Sequence, residues 1–393
     1  MALQIGEIEI DLVFDAEHEQ LAGEVTHLWR HTRREGATHS EGAIHGEGMS
    51  DGEGATSAGR GEGRTLRRHY AVAGDGGASG SASAEPPVAV APGANAAYAV
   101  SCDITSAIIR ELAGARMLLH AGAVNLPGIG TVVLVGPSGA GKSTATTVLA
   151  RQGAYLTDEL TIMDSGDFRV TAFPKPISRV EVMASGTLRK IDQGLPALGI
   201  SPEAVAPAPS VVLVLDRVRN GSAPRDEVSL SRLPLRESLP LIVGQSSSQW
   251  KLERPLSSLA ELLEGCGGAL AARYVEADLL HAALAGGVPD PLRETWHSLE
   301  FEEPTQRASP REVSLARFSE ALALDSEILV LRPGGLVILE GVAALVWDLL
   351  REEGAMTHES LWRRMVSELG EDAQSRVILA QALDGLARLR LAR

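Results

Sequence analysis

The stretch Gly136-Pro-Ser-Gly-Ala-Gly-Lys-Ser143 decides the fold of this chain. It fits the pattern G-x-x-x-x-G-K-[ST] and lies between an apolar, β-branched run at residues 131–135 and a helical pattern at residues 144–152. Glycines in such a loop let backbone N–H groups turn inward on a phosphate, and the helix that follows adds the positive end of its dipole. The sequence therefore predicts a strand, a phosphate-binding loop and a helix in succession.

The loop predicts a specific set of nucleotide contacts. Lys142 is expected to reach the β- and γ-phosphates, and the Ser143 hydroxyl is expected to coordinate Mg²⁺. The predicted nucleotide-binding residues are Gly136, Ser138, Gly139, Ala140, Gly141, Lys142, Ser143 and Thr144. The nucleotide itself is ATP or GTP, since the loop does not distinguish the bases.

Composition excludes several classes of protein. The chain has 393 residues, of which 44% are hydrophobic and 22% charged, a balance typical of globular domains. Its 36 Lys and Arg against 51 Asp and Glu give a formal charge of −15, which disfavours nucleic acid and anionic membranes as partners. No run approaches the roughly 20 apolar residues that span a bilayer. An acidic N-terminus and two widely separated cysteines further predict a cytoplasmic protein.

The first 100 residues predict a small lobe with long flexible loops. Residues 4–14 are expected to form one opening strand, and residues 17–29 a helix. Residues 35–64 are rich in Gly, Glu and Ser and predict a disordered insertion, and a second Gly/Ser/Ala patch follows at residues 74–84. His39 and His45 lie in the insertion, where a solvated loop is favoured over a weak metal site. Short strands are predicted at residues 68–72 and 87–91.

The remaining chain divides into a core at residues 101–299, a linker at 300–310 and a module at 311–393. In the core, helices are predicted at residues 105–119, 256–264 and 275–284, and a strand at 211–215. In the module, a hairpin is predicted at residues 326–331 and 336–339, followed by helices at 341–352, 357–369 and 373–389.

Two acidic sites follow the loop along the chain. Asp158 and Glu159 come soon after Lys142, while Asp216 ends the apolar run 211–215. Asp216 fits the place of an ordinary Walker B aspartate, but the early position of Asp158 and Glu159 is unusual for that role. We favour Asp216 as a plain strand-end residue and leave the Walker B alternative open.

Three motifs together resemble the HPr kinase/phosphorylase family and its kinase-like relatives in ribosomal-peptide biosynthesis. They are Leu119-His120-Ala-Gly-Ala-Val, the loop ending at Ser143, and Arg151-Gln-Gly-Ala-Tyr-Leu-Thr-Asp158-Glu159. The resemblance covers residues 116–182. It implies an α/β fold of the α+β kind, with a P-loop core akin to phosphoenolpyruvate carboxykinase instead of a doubly wound parallel sheet.

The resemblance also implies catalytic roles that match the chemistry of these residues. Phosphoryl transfer to a hydroxyl needs a carboxylate to accept the proton, and Asp158 is assigned that role. Glu159 joins Ser143 as a Mg²⁺ ligand, and His120 orients or tunes Asp158. Lys175 and Arg179 are possible phosphate contacts, with a solvated loop charge as the alternative.

The chain departs from HPr kinases in ways that bear on its substrate. Thr144 stands where those enzymes usually carry Glu, their paired aspartates are Asp158 and Glu159 here, and their later Arg-Gly-x-Gly segment is missing. HPr itself is therefore not the expected acceptor.

Residues 311–393 resemble the small PqqD-type domain, a winged-helix-like element that recognises leader peptides. The module carries more acidic than basic side chains, which argues against a DNA reader. Such domains bind an extended peptide along a hairpin edge, and residues 328–331 together with Leu379, Leu383 and Leu386 are the expected groove. The alternative, expected to hold for most of these leucines, is that they form a small core with Trp347, Leu349 and Leu350.

These features together predict a nucleotide-dependent kinase that phosphorylates a hydroxyl of a precursor peptide held by residues 311–393. A nucleotide-gated peptide chaperone without phosphotransfer, and a kinase of a free small molecule, are the alternatives. A homo-oligomer is compatible with all three hypotheses.

Overall fold

The computed structural model describes a mixed α/β protein. It covers residues 1–33, 64–72, 87–91, 95–183, 186–218, 227–301, 309 and 311–393. His39, His45, the patch at residues 74–84 and the predicted insertion except Arg64 lie outside the described residues. Within the described residues, no helix combines the length and apolar character that crossing a membrane requires.

The N-terminal lobe is a four-stranded sheet with two helices packed on it. Its elements are β1 (Ala2–Ile5), β2 (Ile8–Phe14), α1 (Glu19–Leu28), β3 (Arg64–Val72), β4 (Val88–Val90) and α2 (Ala96–Leu112). The strands lie in the order β1-β2-β3-β4. The single opening strand predicted at residues 4–14 was wrong, because Gly6 adopts a φ of 56° and turns the chain into an antiparallel hairpin. The predicted domain boundary at residue 100 falls inside α2.

The central part of the chain contains most of the strands. Its elements are β5 (Met117–Leu119), β6 (Gly122–Leu126), β7 (Gly130–Val135), α3 (Lys142–Ala150), β8 (Ala154–Thr157), β9 (Thr161–Met163), β10 (Val170–Thr171), β11 (Ile177–Val182), β12 (Leu188–Gln193), β13 (Val205–Ala206), β14 (Pro209–Arg217), β15 (Val228–Leu233), α4 (Leu235–Val243), α5 (Pro255–Gly265), β16 (Ala269–Tyr274) and α6 (Leu280–Ala285).

A six-stranded sheet supports the centre of the molecule in the order β15-β16-β14-β7-β6-β8. The inner strands β16, β14 and β7 run parallel, while β15, β6 and β8 are antiparallel to their neighbours. Residues 132–135 of β7 are almost wholly buried, as expected for a strand covered on both faces. This mixed sheet is not a doubly wound parallel one.

Two predicted helices of the core have different bounds in the structure. The helix expected at residues 105–119 begins earlier and ends at Leu112, so Met117 and Leu118 belong to β5. The helix expected at residues 275–284 is reduced to α6, after β16 and a 3₁₀ turn at Ala277–Leu279. Both predictions relied on apolar spacing, which does not separate a short buried strand from a helix.

The C-terminal part contains the predicted hairpin and the three helices after it. Its elements are β17 (Trp296–Ser298), β18 (Glu312–Val313), β19 (Glu320–Leu324), β20 (Glu327–Arg332), β21 (Gly335–Leu339), α7 (Gly341–Glu353), β22 (Met356–Thr357), α8 (His358–Leu369) and α9 (Ser375–Arg388). The sheet order is β17-β19-β20-β21. β17 precedes the predicted linker at 300–310, yet it pairs with β19 of this sheet. The sheet therefore includes a strand from the predicted core.

The side chains predicted to line a peptide groove are buried instead. Ile328, Leu379, Leu383 and Leu386 each expose 8% or less and pack with Trp347 in one apolar cluster. Residues 328–331 belong to β20, an inner strand of this four-stranded sheet, so neither edge of β20 is open. The groove prediction was wrong for these side chains, and the alternative of a small core holds for Ile328, Val330 and the three leucines of α9, while Leu329 and Leu331 lie in a second buried cluster.

The C-terminal sheet shares a hydrophobic core with the central part of the chain. Leu322, Leu324, Leu329 and Leu331 belong to the same buried cluster as residues of α4 and α5. The Glu320 carboxylate accepts hydrogen bonds from the backbone N–H groups of Leu256 (2.6 Å) and Ser257 (3.2 Å) and from the Ser257 hydroxyl. Glu320 thus caps the N-terminus of α5 from another part of the chain, where a carboxylate is favoured by the helix dipole.

Candidate active site

The loop that the sequence predicts to bind phosphate links β7 to α3, in the predicted order of strand, loop and helix. Gly139 and Gly141 adopt φ angles of 81° and 93°, a backbone region that only glycine enters at little cost. A Cβ on Gly141 would stand 3.3 Å from the Tyr274 hydroxyl and 3.5 Å from Cδ of Arg217. The Lys142 ammonium donates to the carbonyl of Gly136 at 2.6 Å. Ser138, Gly139 and Gly141 of the loop line the same cleft as Lys142, Ser143 and Thr144 at the start of α3.

A group of buried charges faces this loop at the end of β8. The side chains of Asp158 and Lys175 expose 3% each, and the Lys175 Nζ lies 2.9 Å from Glu159 Oε2 and 3.9 Å from Asp158 Oδ1. The Tyr155 hydroxyl donates to Asp158 at 2.9 Å. The predicted base and the predicted metal ligand therefore share one buried ammonium.

The surroundings move the pKa values of the two carboxyl groups in opposite directions. Burial raises the pKa of Asp158, and the nearby Lys175, the Tyr155 hydroxyl and the Ser143 hydroxyl offset only part of that rise. Burial would also raise the pKa of Glu159, but the charge and hydrogen bond of Lys175 outweigh it, so the net pKa is lowered. The ionised form of Glu159 is thus favoured by its surroundings, and Asp158 is the more basic of the two carboxylates.

The surroundings of His120 lower its pKa and so favour the neutral imidazole. Desolvation lowers its pKa first, and the charge of Lys142 adds to that, against the opposing carboxylates of Glu159 and Asp158. Its backbone N–H donates to Gln245 at 2.6 Å, which ties the end of β5 to the loop after α4. A neutral imidazole can accept or donate a hydrogen bond at Asp158 but brings no charge to it.

One cleft of about 640 Å³ brings most of the predicted site residues together. Those that line it are His120, Ser138, Gly139, Gly141, Lys142, Ser143, Thr144, Asp158, Glu159, Lys175 and Arg179. Gly136 and Ala140 belong to the loop but do not line the cleft. Asp216 is exposed within β14 and lies outside the lining, as does every residue of the module at 311–393.

Lys175 does not occupy the place of a phosphate contact. Its ammonium is buried beneath Asp158 and Glu159, and it also donates to the carbonyl of Pro176 at 3.1 Å. The nearby carboxylates raise its pKa despite burial. Lys175 therefore holds the carboxylates in place, while Arg179 lies exposed at the cleft edge on β11.

Sequence reasoning missed several residues of the cleft. Tyr155 lies in the third motif, but nothing in the sequence shows that its hydroxyl meets Asp158. Lys190 lines the cleft opposite Val180, its register partner in the hairpin β11–β12, which was not predicted. Arg217 was not predicted either, whereas its neighbour Asp216 was considered as a metal ligand. Consecutive side chains of a strand lie on opposite faces, and it is Arg217 that lines the cleft.

The donor set at the cleft fits a magnesium ion. Ser143, Asp158 and Glu159 supply hydroxyl and carboxylate oxygens, which are the ligands that Mg²⁺ prefers. Elsewhere in the described residues, Asp15, Glu17 and His18 lie close enough to share an ion, but nothing more at that cluster indicates a ligand.

Comparison of the chain with protein-family models found no match, and comparison with curated protein sequences found none at a significant level.

Proposed function

We propose that the protein is a nucleotide-dependent kinase that transfers a γ-phosphate to a hydroxyl of a peptide. The proposal rests on one observation: residues of the predicted phosphate loop and a pair of carboxylates line the same cleft. Lys142 and Ser143 of the phosphate loop stand there with Asp158 and Glu159, and Asp158 is both buried and raised in pKa. A phosphate cradle beside a basic carboxylate is the combination that hydroxyl phosphorylation requires.

The polar and charged residues that meet in the cleft have distinct roles in this reaction. The loop N–H groups and Lys142 hold the β- and γ-phosphates, and Ser143 with Glu159 would hold Mg²⁺, which when bound neutralises charge on the phosphates. Asp158 accepts the proton of the acceptor hydroxyl as its oxygen attacks the γ-phosphorus. Neutral His120 orients the acceptor or Asp158, and Lys175 keeps both carboxylates in place. Arg179, Lys190 and Arg217 add positive charge around the nucleotide.

The resemblance to HPr kinases and to PqqD-type domains supports a peptide as the acceptor. In the described structure β21 pairs with β20 on one side and with no strand on the other. An open strand edge can take up an extended peptide as a further strand. With the groove predicted on β20 and α9 buried, the edge of β21 is the place we assign to a leader peptide.

The test compares Asp158→Asn with Asp216→Asn in the presence of labelled ATP or GTP, Mg²⁺ and candidate precursor peptides. Asp158→Asn should lower transfer by about 10²- to 10⁴-fold, because a carboxamide cannot take the proton. Asp216→Asn, an exposed aspartate outside the cleft, should leave it unchanged. Transfer that persists in Asp158→Asn removes the assigned base. Nucleotide binding without any phosphopeptide in the mass spectrum supports the chaperone alternative instead.

A further inference from the structure

One face of helix α2 continues from the nucleotide cleft into a second cavity. Tyr98, Cys102, Thr105, Ser106 and Ile109 recur at helical spacing and therefore lie on the same side of α2. Tyr98 lines the cleft, and the other four line a separate pocket of about 270 Å³. A single helix thus forms a wall of both.

The second pocket adjoins the carboxylate pair. It is completed by His120, Glu159, Leu160 and Ser247. His120 and Glu159 line the cleft as well, so the two spaces meet at these side chains. No residue of the phosphate loop lines the pocket, whereas five residues of the loop line the cleft: Ser138, Gly139, Gly141, Lys142 and Ser143. An occupant of the pocket would therefore reach the carboxylates from a different direction than the nucleotide does.

The polar atoms of the pocket favour a ligand that donates hydrogen bonds. The Thr105 hydroxyl donates to the Ser101 carbonyl at 3.0 Å, and the Ser106 hydroxyl donates to the Cys102 carbonyl at 2.9 Å. Their protons are therefore engaged, and their oxygens offer lone pairs. Glu159 adds a carboxylate, and no Lys or Arg lines the pocket. O–H and N–H groups suit this lining, while an anion meets the negative charge of Glu159 with no cationic side chain in the lining.

We propose that this pocket receives the phosphate acceptor, an uncharged serine or threonine residue of a peptide whose hydroxyl reaches the cleft between His120 and Glu159. The assignment rests on the proposed kinase function. The acceptor oxygen forms the new bond to the γ-phosphorus, and the bond from that phosphorus to the bridging oxygen breaks. The nucleoside diphosphate leaves with the electron pair, and the hydroxyl proton passes to Asp158. Main-chain N–H groups beside the acceptor meet the oxygens of Thr105 and Ser106.

The first experiment uses the full-length chain and narrows the pocket by placing a larger side chain at an exposed position of its lining. Ser106 is exposed on α2, so Ser106→Phe should fold, with Ser106→Ala as its matched control and thermal unfolding as the check. The probes are N-acetylserinamide, N-acetylserine and N-acetyltyrosinamide at millimolar concentration, and any peptide that the protein phosphorylates. Ser106→Phe should raise the KM for serinamide at least about tenfold without changing nucleotide affinity. Ser106→Ala, which removes only one hydrogen-bond acceptor, should raise that KM by no more than about two- to fivefold. The free carboxylate of N-acetylserine should lower kcat/KM by roughly tenfold.

The second experiment measures whether a ligand occupies the pocket and does not depend on phosphotransfer. Cys102 lines the pocket and is partly exposed, whereas the chain's other cysteine, Cys266, is buried, so a small alkylating reagent at alkaline pH should modify Cys102. Serinamide with a non-hydrolysable nucleotide should slow this alkylation severalfold, and Cys102→Ser identifies the site. If the protein phosphorylates peptides but shows neither protection of Cys102 nor a higher KM in Ser106→Phe, the assignment of the pocket is overturned and the kinase function is not. Preference for tyrosinamide overturns the assigned acceptor. No transfer to any acceptor overturns the kinase function and the pocket's role with it.

Discussion

At the scale of single residues, Lys175 determines how the carboxylates titrate. It lies 2.9 Å from Glu159 and 3.9 Å from Asp158, with 2% of its surface exposed. The ammonium lowers the pKa of both groups, against burial, which raises them. In the proposed reaction Asp158 must be ionised to accept a proton, so Lys175 would set the pH above which Asp158 can act as a base.

We therefore expect Lys175→Met to move the rising limb of the pH–rate profile to higher pH. Without the ammonium, the pKa of Asp158 rises further, so a larger share of the protein holds it protonated at a given pH. Stability should change with pH as well. A carboxyl whose folded pKa exceeds its unfolded pKa favours the fold at low pH, and this contribution is lost as the pH rises through the folded pKa. Transfer rates and urea unfolding across a pH series measure both effects, and Lys251→Met, on the surface, is the control.

A smaller shift in the same direction is expected for Tyr155→Phe. Its hydroxyl donates to Asp158 at 2.9 Å and lowers the carboxyl pKa, so the variant removes one stabilising hydrogen bond without opening a cavity. The free energy of unfolding should fall by about 1 kcal/mol, the usual net value of such a bond. A pH–rate profile identical to that of the unmodified protein would show that Tyr155 has no influence on the base.

At the scale of elements, the hairpin of β11 and β12 is the part of the site that sequence reasoning missed. Asp158 and Glu159 were predicted from a contiguous motif whose order and spacing are visible in the chain. The hairpin has no such signal, since Val180, Val182 and Leu188 are all exposed and the usual alternation of buried and exposed residues is absent. Its place over the cleft depends on contacts distant in sequence, as does the role of Lys175.

Alternation along β12 provides a matched test of this hairpin. Lys190 lines the cleft, and its neighbour Arg189 points to the opposite face and does not line it. Lys190→Met should weaken nucleotide binding about two- to fivefold, because an exposed cation near phosphates contributes little in water. Arg189→Met should leave the affinity unchanged. Equal losses in both variants, measured by titration with a fluorescent nucleotide, would mean that the hairpin acts through its fold and not through Lys190.

At the scale of the whole molecule, the C-terminal module is docked and not loosely tethered. The hairpin and three helices of this module were predicted nearly to their ends, because each segment has a continuous apolar pattern and a glycine at its turn. The docking of the module was not predicted. The sequence of β19 and β20 indicates buried leucines but does not show whether they pack against the module's own core or against helix α5. Glu320, which caps α5, was equally invisible in the sequence.

We expect Glu320→Ala to destabilise the protein by about 1–2 kcal/mol, since it leaves the first N–H groups of α5 without their carboxylate acceptor. Glu371→Ala, at an exposed position of the same module, should change the free energy of unfolding by less than about 0.5 kcal/mol. Deleting residues 311–393 should be far more damaging, because it uncovers Leu256 and Leu259 of the shared core. Thermal unfolding of the three proteins distinguishes these outcomes.

If the protein phosphorylates a bound peptide as proposed, the core shared by the module and the central part of the chain also affects which hydroxyl of that peptide is phosphorylated. A flexible tether would let the acceptor search over many positions, whereas a docked module keeps the edge of β21 at a set distance from the cleft. An extended peptide advances at most about 3.3–3.6 Å per residue, so a peptide held at that edge reaches the carboxylates only with a minimum number of residues between its two contacts. The protein would then act as a ruler, selecting a position along its substrate by counting residues from the bound segment.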